Sequence, residues 1–204
     1  MTEPPSTLLR RRWLEALLPE VVMEGWTEGA AAAAARQAGL SEGQQALAAP
    51  RGVIDLIEGF FDMAGERAKA ALAAEDFSGL RVPEKVKRGV LAWLAELEPH
   101  QEAVRRAASR GFLPWGAGPA LERTWKVADL VWTAAGDTST DYNRYSKRGL
   151  LAGVLPAIVL YWVDRPAPDD LEAFIGRRLA HASGIGRTMG QVLKPLLDRL
   201  PQKP

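Results

Sequence analysis

The chain reads as all-α on three observations. Apolar residues recur at spacings of three and four along almost its whole length, no run of alternating β-branched residues interrupts them, and Pro, Gly and Ser/Thr fall where helices start and stop. A first helix spans about Thr7 to Leu18, after Ser6 and ahead of Pro19. A second spans Thr27 to Ala38 and stops at Gly39, and Ser41 caps a short third helix that ends near Pro50. Pro50 suits the first turn of a long fourth helix with the inward stripe Val53, Ile54, Ile57, Phe60, Phe61, Ala64 and Ala68. Pro83 opens a fifth, with Val86, Val90, Trp93, Leu94 and Leu97 inward, and Pro99 closes it. His100 to Arg110 forms a sixth helix before the Gly/Pro-rich loop Gly111 to Pro119. The seventh carries Leu121, Trp125, Ala128, Trp132 and Ala135 on one face and Glu122, Arg123, Lys126 and Asp129 on the other. The eighth buries Leu151, Val154, Leu155, Ile158 and Trp162 and is kinked by Pro156. Arg165 to Asp170 makes a turn and cap into a ninth helix through His181, after which Gly184 and Gly186 set off a terminal segment, Arg187 to Leu200.

Composition narrows the function classes. With 204 residues and 47% hydrophobic content the chain can bury one good core, or a large core with a small appended module. Lys plus Arg (26) nearly cancels Asp plus Glu (25), so no global field draws it to nucleic acid or an anionic membrane. Without cysteine there is no disulfide framework or thiolate metal site, and only His100 and His181 offer imidazole, so no cofactor is expected. The first residues lack a secretory apolar core, because Glu3, Pro4, Pro5, Glu15 and Pro19 break it. The longest uncharged run, Gly149 to Val163, contains Pro156 and falls short of the roughly 20 residues a spanning helix needs. The expectation is a bacterial cytoplasmic protein.

The layout of the first three helices, with the tight turn Ala38-Gly39-Leu40-Ser41, is that of a helix-turn-helix. Between Glu24 and Pro50, however, Arg36 stands alone against Glu24, Glu28 and Glu42. Gln44 and Gln45 offer the amide chemistry that reads adenine, yet the cations that hold a helix on phosphates are missing. DNA binding is therefore not expected.

The most specific stretch is Trp132-Thr-Ala-Ala-Gly-Asp137-Thr-Ser-Thr-Asp141-Tyr-Asn143-Arg-Tyr145-Ser-Lys147-Arg148. Thr138, Ser139 and Thr140 are candidate N-caps for the eighth helix, and Asp137 and Asp141 complement its positive end. Asp141, Arg144, Tyr145 and Arg148, spaced by three and four, make a polar face. Capping and surface ion pairs account for the first half. Tyr and Arg together are also typical interface anchors. No nucleophile elbow, phosphate loop or metal-ligand cluster accompanies them, so no catalytic residue is assigned.

With its extensions, this stretch resembles the signature of the coenzyme Q (ubiquinone) biosynthesis family that binds lipid on a TetR-like helical fold, the ninth of the coenzyme Q proteins. The likeness runs from Arg81-Val-Pro-Glu-Lys-Val-Lys through Leu113-Pro114 and Ala128-Asp-Leu-Val-Trp132 to Lys147-Arg-Gly-Leu-Leu and Phe174-Ile-Gly-Arg-Arg178-Leu, about residues 50 to 183. It implies a TetR-like bundle and a homodimer, with a helix-turn-helix-like part over 1–49, a lipid-binding domain over 50–186 and an amphipathic segment over 187–204. It further implies a non-enzymatic accessory protein that presents an isoprenoid quinone precursor, or holds a phospholipid, for the demethoxyubiquinone hydroxylase, docked on Asp141, Arg144, Tyr145 and Arg148. Two positions depart from the pattern: Arg144 stands where family members often carry Trp, and Arg165-Pro166 replaces an Asp-Ser pair after Asp164.

The central aromatics, Trp115 among them, read either as core or as the walls of a pocket. The resemblance favours a lipid pocket, with Trp93, Phe112, Trp125, Ala128, Trp132, Leu151, Val154, Leu155 and Ile158 as its lining. In the terminal segment Met189, Val192, Leu193, Leu196 and Leu200 share one face, opposite Arg187, Lys194 and Arg199. That face suits peripheral membrane contact, as the resemblance implies, or docking on the protein itself. The alternative to an accessory protein is a ligand-responsive transcription regulator of the TetR type. An enzyme finds no support in the motifs.

Overall fold

The computed structural model describes residues 3–111, 117–140 and 142–197, with side chains described for 3–110, 121–140 and 143–184. The described elements are helical: α1 (Pro5–Glu24), α2 (Glu28–Gln37), α3 (Glu42–Ala48), α4 (Val53–Ala73), α5 (Val82–Leu97), a 3-10 turn (Glu98–His100), α6 (Gln101–Gly111), α7 (Ala117–Ala134), α8 (Tyr142–Trp162) and α9 (Pro168–Leu197). No strand occurs among the described residues, as the spacing of apolar residues predicts. Contacts divide the chain into two compact units, Met1–Glu75 with Leu91–Arg123, and Asp76–Val90 with Thr124–Pro204.

In the first unit α1 is the centre, packing against α2, α3, α4 and α6 through Trp13, Leu14, Leu17, Leu18 and Val21. Two buried indoles tie this packing to the backbone: Trp13 Nε1 donates to Ala31 O and Trp26 Nε1 to Ala103 O, each at 2.8 Å. The expected stop before Pro19 does not occur. α1 continues through Pro19 to Glu24 because Pro19 faces outward, while Leu17, Leu18 and Val21 on the other side are buried.

Local chemistry sets the α2–α3 corner. Thr27 Oγ1 accepts from Ala30 N, Gly39 takes φ +65° after α2, and Leu40 N reaches back to Ala35 O, the closing bond of a Schellman stop. Ser41 and Gln44 then form a capping box on α3. Gln44 Oε1 accepts from Ser41 N, and Gln45 Nε2 donates to Leu40 O. Both glutamines that sequence reasoning set aside as base readers are thus engaged in holding their own helix.

Three further expectations change. Pro50 lies in a turn ahead of α4, which starts at Val53 after Gly52 at φ +62°, with Asp55 Oδ2 accepting from Arg51 N at 2.7 Å. Ile54 and Leu121, expected inward, are exposed, and Leu56 and Val127 take inward positions. Finally, α9 runs without a break through Gly184 and Gly186 to Leu197.

In the second unit α8 packs along α9, with Tyr161 stacked on Phe174 at 4.1 Å between ring centroids. Leu151, Leu155, Ile158 and Trp162 of α8 and Ile175, Leu179 and Ala182 of α9 are buried. The first turns of α5 lie close to α7. A Cβ at Gly89 would stand 2.9 Å from Val131 Cγ1, so glycine is what permits this approach.

Candidate functional site

The signature stretch begins as a helix stop. Gly136 leaves α7 at φ +83°, and Asp137 N donates to Trp132 O, again the long bond of a Schellman motif. The turn carries the Asp137 side chain into the interior, where it is 5% exposed. Its Oδ1 accepts from Lys147 Nζ at 2.7 Å and from Ser139 Oγ at 2.8 Å, and its Oδ2 from Arg148 Nη1 at 2.8 Å. Ser139 therefore serves this cluster, and α8 starts only at Tyr142. Asp137 thus bridges two cations of α8.

Arg148 is 2% exposed. Its Nε donates to Asp129 Oδ1 at 2.5 Å, so one guanidinium bridges α7 and the loop that follows it. Asp129 also accepts from Arg144 Nη2 at 3.3 Å. Burial opposes the charge on Asp137, but the hydrogen bonds from Lys147, Ser139 and Arg148 outweigh it and hold the carboxyl well below the usual carboxylate range. Arg148 is consequently not on the docking face where its spacing put it. With two carboxylates in reach, the guanidinium is paired on both sides, which offsets the desolvation that burial costs it.

Tyr145, by contrast, is 61% exposed, and its ring stacks on Trp125 at 6.2 Å with 26° between planes. Arg144 is exposed beside it and Asp141 lies outside the described residues. The face that remains is Tyr145 and Arg144 over Trp125.

A cavity of about 280 Å³ lies in the same unit. Val82, Pro83 and Val86 of α5, Trp132 of α7, Leu150 and Leu151 of α8 and Leu179 and Ala182 of α9 supply its apolar lining. Asn143, Ser146, Lys147 and Ser183 supply polar atoms. Trp132 is fixed at its edge by Nε1 donating to Lys147 O at 3.1 Å, while Lys147 Nζ sits 5.4 Å from the centroid of the Trp132 ring. Lys147 is thus both a cavity residue and a member of the Asp137 cluster.

Of the expected lipid-lining residues, Trp132 and Leu151 line this cavity. Ala128, Leu155 and Ile158 are core, Val154 is half-buried outside it, and Trp125 is taken up by Tyr145. Trp93 is buried in the first unit, 6.3 Å from Phe61. Phe112 and Trp115 lie outside the described residues, as do the side chains of Met189, Val192, Leu193, Leu196 and Leu200. Sequence reasoning passed over Val82, Leu150, Leu179 and Ser183. Their spacing within one helix carries no sign of the cavity, which exists only once four helices meet.

Residues 117–186 match the model of the COQ9 family. The chain is 32% identical over 193 residues, 90% of its length, to the proteins named "Ubiquinone biosynthesis protein COQ9, mitochondrial" from Bos taurus and Rattus norvegicus. It covers 60% and 62% of those two proteins, and so spans about three fifths of the length of the curated relatives it matches. Its fold is that of a TetR transcriptional regulator from Nitrosomonas europaea ATCC 19718, with a TM-score of 0.66 and 17% identity over 86% of this chain and 98% of that one. The TetR-like, all-α architecture implied by the resemblance is therefore present.

Removing Arg148 leaves Asp137 buried with Lys147 and Ser139 alone. Arg148→Ala lowers the unfolding free energy by about 3 kcal/mol in urea titrations at neutral pH. An unchanged midpoint would contradict the role given to this pair. Because the native carboxyl of Asp137 is depressed, its stabilising share is fully present above the ordinary carboxylate pKa, near 4, and is lost as pH falls below that toward the native value.

Proposed function

We propose that this chain, whose residues 117–186 match the COQ9 family model, acts in ubiquinone biosynthesis as a lipid-binding accessory protein without catalysis of its own. The observation that carries this reading is the apolar cavity between α5, α7, α8 and α9, in the same unit as the exposed Tyr145. An isoprenoid quinone precursor enters the cavity, and the Tyr145/Arg144 face meets the demethoxyubiquinone hydroxylase. No helix among the described residues is long and apolar enough to cross a membrane. Contact with the bilayer is peripheral in this reading, through the Met189–Leu200 pattern of the C-terminal segment.

Partition decides how such a protein works. Burying an isoprenoid gains about 25 cal/mol per Å² over water, but the bilayer already offers that gain. Tail burial is close to neutral between the two, so shape and head-group contacts set the affinity. Arg144 is where the docking face departs from the family pattern, and it already shares Asp129 with Arg148. An added carboxylate or aromatic surface on the hydroxylase matches what this face presents. DNA regulation draws no support from α3, whose Gln44 and Gln45 are held by their own backbone.

Organic extraction of the purified protein yields an isoprenoid lipid, and Leu150→Trp, which fills the cavity from a half-buried position, depletes it at least about fivefold, a loss of about 1 kcal/mol of binding through steric exclusion. Protein that is empty when isolated from ubiquinone-producing cells overturns the reading. For the docking face, Tyr145→Ala weakens hydroxylase binding about 30-fold or more, the loss typical of a central aromatic anchor. Surface plasmon resonance with the hydroxylase measures it, and equal affinities would remove Tyr145 from the interface.

A further inference from the structure

Three of the four polar side chains on the cavity wall can either donate or accept. Asn143 carries an amide NH2 and a carbonyl, and the hydroxyls of Ser146 and Ser183 rotate, so a neutral head group of either polarity finds a partner there. Charge is what distinguishes this wall. Lys147 is the one charged group among the described lining residues, with no Asp or Glu beside it. Two of its three protons go to Asp137 Oδ1 at 2.7 Å and Ser139 Oγ at 2.9 Å, and the third is available to a ligand oxygen. Asp137 does not cancel the ammonium alone, because the same carboxylate also pairs with Arg148. Arg148 in turn shares Asp129 with Arg144, so three cations stand against two carboxylates among the described residues of this cluster. The balance at the wall is positive.

Resting on the lipid-binding reading above, we infer that this cavity holds a single-chain or single-ring amphiphile with an ionised carboxylate more tightly than a neutral one of the same shape. Such an acid competes with a neutral quinone head group for the site. A carboxylic acid, with an ordinary pKa near 4, is charged at neutral pH. Its oxygens accept from Lys147 in a charge-assisted hydrogen bond and from Asn143 or the serines turned as donors. A neutral carbonyl makes the same contacts without the charge, and each is weaker. Size limits the occupant: about 280 Å³ lies at the lower edge of the roughly 300–1,000 Å³ range of ligand pockets, room for one ring or one short chain and not for a two-chain phospholipid. Val82, Val86, Leu150 and Leu179 receive the apolar part.

The test is calorimetry of the full chain at neutral pH with two isosteric pairs, decanoate against decanamide and 4-octylbenzoate against 4-octylbenzamide. It is repeated on S183D and S183N, which differ from each other only in charge. Ser183 is exposed on α9, so neither side chain displaces a packed neighbour. The expected result is an acid bound about five- to tenfold tighter than its amide, the margin of a charged over a neutral hydrogen bond. That preference persists in S183N and falls to about twofold or less in S183D, whose carboxylate repels the ligand's from the same wall. A preference in either pair supports the inference, and the tighter pair tells a fatty acid from an aromatic one. Equal affinities within both pairs, or a preference that survives S183D, overturns it while leaving lipid binding in place. If none of the four probes binds, the inference falls as well; the lipid-binding reading then stands if an isoprenoid is extracted from the purified protein and falls if the protein is empty.

Discussion

Arg148, 2% exposed, holds its charge inside the second unit only because Asp129 and Asp137 arrive from α7 and from the turn beyond it. A buried guanidinium with one carboxylate removed is a severe liability. The start of α8, the end of α7 and the intervening loop are therefore fixed together or not at all. Gly136 is what makes the arrangement reachable, since its positive φ turns the chain so that Asp137 points back between the helices. Lys147, one residue before the arginine, shares that carboxylate and is placed at the cavity edge as a consequence. Tyr145, three residues before Arg148, is left outside. One ion cluster thus positions both a polar cavity wall and an exposed aromatic.

Much of the fold was legible. Thr27, Gly39 and Ser41 mark helix ends by local chemistry that needs no tertiary partner, and they act as expected. The inward set Val86, Val90, Trp93, Leu94 and Leu97 is buried throughout α5. What failed did so where a neighbour decides. Pro19 ends no helix because it faces outward, and Gly184 and Gly186 end none because helical continuation costs little more than their propensity. Leu121 shares the spacing of Trp125 and Ala128 but stands exposed.

The site was half legible. Its sequence marked the right stretch, and Tyr145 is where spacing put it. Arg148 was assigned outward because periodicity treats every charged residue as solvent-facing, and nothing local reveals that Asp129, 19 residues earlier, waits for it. Ser139 reads as a cap for the same reason. Ser139 has a partner from the next helix in Lys147, which is invisible at the level of one element. The cavity itself combines α5, α7, α8 and α9, and only Trp132 and Leu151 were common to the expected and observed linings.

At the N-terminal end the helix-turn-helix layout packs around α1, held by Trp13 and Trp26, and Gln44 and Gln45 of its third helix are bonded to nearby backbone. Attention belongs on the second unit, where the central claim is that a lipid head group sits among α5, α7, α8 and α9. Photo-cross-linking tests it most directly, using a polyprenyl benzoquinone with a diazirine on the isoprene unit nearest the ring. Adducts in peptides covering residues 146–151 and 179–183 are the predicted result; adducts concentrated in α1–α4, or spread without preference, would contradict it.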